Sequence, residues 1–226
     1  MTFPNAVAGL KLCIIGEVID LFTAVCIAAV TIISGTVMQD VNLVKSETNL
    51  IFTGGAILLI ALTLAFMGLA ALVVKFVGAF KAAKDEYSFR GAAYGLILGM
   101  LTTVVGVLFA DNTLISGAAS VFTEIADMFA MCMVVQGIRH LAIFLRNDDI
   151  ERRGSIVIKL IMLLYTITTI FRMILILMNQ QGMFYTVSNV IIVVINAVVF
   201  VMYISYLVRS RRFIKNEPGT ELEGDI

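Results

Sequence analysis

The chain has no tryptophan, one histidine, two prolines and three cysteines in 226 residues. Each shortage excludes something. With His140 alone, a histidine-based metal or haem site is nearly excluded. Cys13, Cys26 and Cys132 form no C-x-x-C pair and no disulfide framework, and all three fall inside apolar runs, where they read as small packing residues. Any aromatic belt at a membrane interface must be built from Tyr and Phe, and Phe52, Phe184, Tyr185 and Phe213 are the candidates. Charge is the scarcest commodity. Only 14% of residues are Asp, Glu, Lys or Arg, against about 25% in a soluble domain. The formal net charge is zero, so nothing points to a nucleic-acid partner.

What fills the space is apolar. Hydrophobic residues make up 60% of the chain, and mean hydropathy is +1.01. Six apolar segments recur, at about 10–37, 50–74, 91–110, 117–140, 156–178 and 186–208. Each is long enough to cross a hydrocarbon core of about 30 Å as a helix. Lipid cannot satisfy open backbone groups, so helices are expected rather than isolated strands, and the runs alternate too poorly for barrel strands. The expected fold class is an all-α integral membrane protein: one six-helix transmembrane domain over 1–212, with no soluble domain, and an acidic cytoplasmic tail over 213–226 that lacks the apolar residues to fold. The first run carries Glu17 and Asp20 and no basic region precedes it, so it reads as a retained helix rather than a signal peptide.

Orientation follows from the basic residues. The second break holds Lys75, Lys81, Lys84 and Arg90; the fourth region holds Arg139, Arg146, Arg152 and Arg153; the end of helix six holds Arg209, Arg211, Arg212 and Lys215. The first break has only Lys45, and the third and fifth have neither Lys nor Arg. By the positive-inside rule, both termini are expected in the cytoplasm of a cell-membrane protein. Residues 75–90 read as an interfacial extension of helix two.

Charges inside a span cost roughly 2.5–3.5 kcal/mol each on insertion scales, so Glu17, Asp20, Glu124, Asp127 and Arg172 demand an account. The i, i+3 spacing sets each acid pair on one helix face. Thr31 and Ser34 continue the face of helix one, and Ser120 precedes the pair on helix four. Tyr165, Thr168, Arg172 and Asn179 share a stripe on helix five, as do Asn189, Asn196 and Tyr203 on helix six. One reading is an inward polar cavity or path whose carboxylates bind a cation or carry protons, as in a small transporter or channel-like protein. The other is that Arg172 neutralises one carboxylate in a non-catalytic membrane component: a sensor, an immunity protein or an assembly partner. A pairing of Arg172 with Glu124, or with Asp127 one turn deeper, is expected because both helices enter from the same side.

Helix three carries Gly91, Gly95, Gly99 and, one heptad on, Gly106, a small-residue face suited to close helix packing. It is not a phosphate loop, since no strand precedes it and no Lys-Ser/Thr follows. No H-E-x-x-H, G-x-S-x-G or paired Cys–His signature is present, so no enzyme, cofactor or metal is expected. The lipid bilayer is the expected partner, with a homo-oligomer or other membrane proteins as further candidates.

Glu17-Val-Ile-Asp20-Leu-Phe22 followed by Cys26 is matched by Glu124-Ile-Ala-Asp127-Met-Phe129 followed by Cys132. Helices one and four run in opposite directions, so the match would make an inverted three-plus-three repeat; three two-helix hairpins, each ending in a basic cluster, is the competing reading. With Gly9-Leu10-Lys11 and Glu17 on helix one and Ala82-Ala83-Lys84-Asp85 after helix two, the first three helices resemble uncharacterised bacterial multi-pass membrane proteins. That resemblance implies a membrane fold and no activity.

Overall fold

The computed structural model describes the backbone of residues 3–40, 47–177 and 183–216; within these, side chains are described except at 28–40, 47–57, 177, 183–187, 189–190 and 216. Six α-helices account for almost all of it: α1 (Pro4–Asp40), α2 (Glu47–Ala82), α3 (Ser88–Leu108), α4 (Thr113–Phe144), α5 (Asp148–Leu177) and α6 (Met183–Asn216). Five of them contain stretches long and apolar enough to cross a membrane, in α2 to α6. The outward faces are those of a lipid-bathed protein: Leu58, Phe66, Val107, Leu108 and Val193 are all well exposed. Several helices overrun the apolar segments that announce them. α2 continues through Lys75 to Ala82, and α6 carries the basic cluster and the first residues of the tail as far as Asn216. The remainder of the tail lies outside the described residues, as do the side chains of the belt candidates Phe52, Phe184 and Tyr185.

The chain divides into two compact units, one comprising residues 1–11 and 76–226, the other residues 12–75. In the larger unit α4 is central, packing on α3, α5 and, more lightly, α6. The α3–α4 contact is built from the glycine face. A Cβ on Gly95 would stand 3.0 Å from both the Cβ and the N of Ala130, and one on Gly106 would stand 3.3 Å from Ala119 Cβ. Gly91 faces Met133 at 3.0 Å. Lipid supplies no hydrophobic drive between helices, so it is this close approach, through dispersion, that holds α3 to α4.

Polar residues tie the ends. Asn112 caps α4, its Oδ1 accepting from the amides of Leu114 and Ile115 at 3.2 Å. At the other end of α4, Arg146 takes φ 53°, and the Asn147 amide donates to Ala142 O at 2.9 Å, closing a Schellman turn with an arginine where glycine is usual. Asn147 then caps α5 through Ile150 N, and Asp148, Asp149 and Glu151 follow at the positive end of that helix. Asp85, between α2 and α3, accepts from Ala6 N at 2.7 Å and from Asn5 Nδ2 at 2.9 Å, so it serves as a cap for the start of α1. The lone histidine lies in a chain of side chains: Arg139 Nη1 donates to Gln136 Oε1, Gln136 Nε2 lies 2.8 Å from His140 Nε2, and His140 Nδ1 lies 2.9 Å from Glu86 Oε1.

Candidate functional site

The singled-out charges gather in two clusters, one in each unit. In the smaller unit, Lys75 of α2 reaches both acids of α1: its Nζ is in short contact with Asp20 Oδ2 and lies 3.6 Å from Glu17 Oε1. Gly16 makes room for it, since a Cβ there would run into Lys75 Cγ and approach Ala71 O to 2.9 Å. Reading Lys75 as a basic residue of an interfacial segment is therefore corrected. It belongs to a candidate membrane span, and it is mostly buried against two carboxylates. Near a span's end, sequence position alone does not distinguish a lysine that snorkels to headgroups from one that turns back to an acid.

In the larger unit, Arg172 Nε of α5 lies 2.6 Å from Glu124 Oε1 of α4. The contact is ionic rather than a directed hydrogen bond: Nε and both Glu124 oxygens are buried and no hydrogen-bond partner completes them among the described residues. Glu124 as a residue is only 8% exposed. Asp127 lies over α3, where the absence of a side chain on Gly99 leaves space; a Cβ there would be 3.3 Å from Asp127 Oδ1.

Both acids and the arginine line a cavity of about 580 Å³ between the helices of this unit. Ser120, Tyr165 and Asn196, which the sequence pattern singles out, line it too. So do residues that the pattern missed: Thr102, Thr103, Ser116 and Thr123. The signal that could have found them is the spacing of Thr102 and Thr103 from Gly99, three and four residues on, which keeps them on the face that meets α4. Thr168 does not belong to the lining; it is fully buried, and its hydroxyl donates to Tyr165 O at 2.9 Å. The side chains of Thr31, Ser34 and Asn189 lie outside the described residues. Glu17 and Asp20 are not among the residues lining this cavity.

Four hydroxyl protons of the wall, those of Thr102, Thr103, Ser120 and Thr123, are already committed. Thr103 donates to Gly99 O at 2.8 Å, Ser120 to Gly117 O at 2.8 Å, and Thr123 has Ala119 O at 3.0 Å. Thr102 has Gly99 O at 2.9 Å and shares a 2.9 Å contact with Thr123, in which one hydroxyl donates to the other. Either way each of the four protons ends on a backbone carbonyl or on a neighbouring hydroxyl. The oxygen lone pairs remain, together with two carboxylates. Among the described residues no three His, Cys, Asp or Glu side chains gather to hold a metal ion. The chain matches no family model, no curated protein and no solved structure.

Proposed function

We propose that this is a small multi-pass transporter or channel-like protein of the cell membrane that moves a cation, or a solute coupled to protons, by way of the α3–α6 cavity. Glu124 and Asp127 are its ion- or proton-carrying groups, and Arg172 sets their charge. The observation that supports this reading is the cavity itself, at once oxygen-lined, open and charged. In a low-dielectric span ionised carboxylates are costly, so two of them in one cavity favour the uptake of a proton or a cation. Exchanging the one for the other is a transport step. In this proposal α1 is the sixth span, and the alternation of basic and bare loops sets both termini in the cytoplasm.

The rival is a non-catalytic membrane component, and the close Arg172–Glu124 contact favours it to the extent that the pair is purely structural. Reconstitution separates the two. Proteoliposomes of the wild-type protein, given a cation gradient and read with an internal pH dye and a potential-sensitive dye, should show flux above protein-free vesicles, and Asp127→Asn should abolish it. Wild-type flux no greater than that of empty vesicles would hand the case to the non-catalytic reading.

A further inference from the structure

We propose that the α3–α6 cavity selects a small primary alkylammonium ion, with its ammonium group received by Glu124, Asp127 and the threonine oxygens of the wall. This deepens the cation reading above and rests on it.

Three observations carry the inference beyond charge. The first is the direction of the hydroxyl groups. A serine or threonine can donate or accept, but Thr102, Thr103, Ser120 and Thr123 have their protons on Gly99 O, Gly117 O, Ala119 O or one another. Toward the cavity they can only accept, each through a remaining lone pair. Donors do remain on Arg172, Asn196 and Ser116, but the two carboxylates that share the wall weigh against an anion. An ammonium group, with three donors and no acceptor, has the complementary chemistry.

The second is an incomplete acid. The Glu124 side chain is 11% exposed and lines the cavity, and among the described residues no hydrogen-bond partner meets its buried Oε2. A buried carboxylate of this kind is costly when charged, and a cation held in the cavity beside it would offset that cost.

The third is size and mixture. A cavity of about 580 Å³ falls in the range of organic-ligand pockets, about 300–1,000 Å³, and a bare alkali ion would leave most of it to water. Val107, Ala110 and Ala119 share the wall with the oxygens, which gives a short alkyl chain an apolar surface to lie on.

The test is a thermal-shift titration of the purified full-length protein in detergent at fixed ionic strength, using propylammonium, sodium and butyrate. Propylammonium should raise the melting temperature with saturation. Asp127→Asn should weaken its apparent affinity roughly ten- to a hundredfold, as expected for losing a charged acceptor, and Thr103→Val by about tenfold at most, for losing a neutral one. Should Asp127→Asn fail to fold, Thr103→Val, which keeps the shape of the wall, carries the comparison. A saturable response to sodium alone would overturn the ammonium proposal and leave the cation reading standing. A saturable response to butyrate would overturn both. An absence of response to all three would overturn the ammonium proposal, while the liposome flux decides the broader reading. A propylammonium shift unaffected by either variant would place binding elsewhere and overturn the proposal too.

Discussion

Arg172 of α5 and Glu124 of α4 meet at 2.6 Å across a helix–helix contact, with the acid buried and the arginine half-buried. Removing one partner strands the other. Arg172→Met or Glu124→Gln alone should cost roughly 3 kcal/mol, the lower end for a broken buried pair because the guanidinium is partly open to the cavity. The double variant should lose less than the sum, with a coupling of about 1–3 kcal/mol. Thermal unfolding in detergent measures the cycle, and strictly additive losses would show that the contact carries no energy.

The glycine face of α3 gives a second expectation. Gly95→Leu forces a side chain into Ala130 and the backbone of α4, so it should destabilise by about 1–3 kcal/mol through overpacking. Leu101→Ile, on an exposed position of the same helix, should change stability by much less. Equal melting temperatures for the two variants would contradict the packing.

Glu86, in the turn between α2 and α3, is a pH probe outside the spans. Burial pushes its carboxyl up, but hydrogen bonds from His140 and Ser88 outweigh that and hold it below the ordinary value of 4.5. A carboxyl depressed on folding contributes stability that is fully present above its unfolded pKa and is lost as pH falls through the folded one. The wild-type melting temperature should therefore drop as pH falls below about 4.5, and Glu86→Gln should flatten that limb while leaving the neutral region less affected. Superimposable acid limbs would mean that Glu86 is not the group responsible.

Topology can be read by labelling. With Cys13, Cys26 and Cys132 replaced by alanine, single cysteines at the exposed positions Asp111 and Asn112 should react with an impermeant thiol reagent added to intact cells. Cysteines at the exposed positions Lys84 and Asp149 should react only after permeabilisation. The reverse pattern would invert the orientation inferred from the basic loops.

The helices were legible because their apolar runs are long and their breaks polar; that logic needs no knowledge of what touches what. The Arg172–Glu124 pairing was legible for a similar reason, since both lie at comparable depth from the same end of adjacent helices, and an arginine in a span needs an acid. Lys75 was not. Its role depends on the register of α1 against α2, which no periodicity reveals, and on Gly16 leaving room for its stem. Thr102, Thr103 and Thr123 were missed because a threonine in an apolar helix ordinarily returns its proton to its own backbone. They do so here, and only the cavity beside them turns that habit into a wall of acceptors. The two E-x-x-D pairs gain something from the structure. A basic residue late in the following helix lies against each pair, Lys75 of α2 against Glu17 and Asp20 and Arg172 of α5 against Glu124.

The central claim is that Asp127 and Glu124 receive a cation in the cavity, and difference infrared spectroscopy tests it at the groups themselves. Spectra of the protein in lipid with and without propylammonium chloride, corrected against sodium chloride of equal strength, should show a perturbed carboxylate stretch that disappears in Asp127→Asn and changes position in Glu124→Gln. A difference spectrum with no carboxylate band, or one that persists unchanged in both variants, would contradict the account.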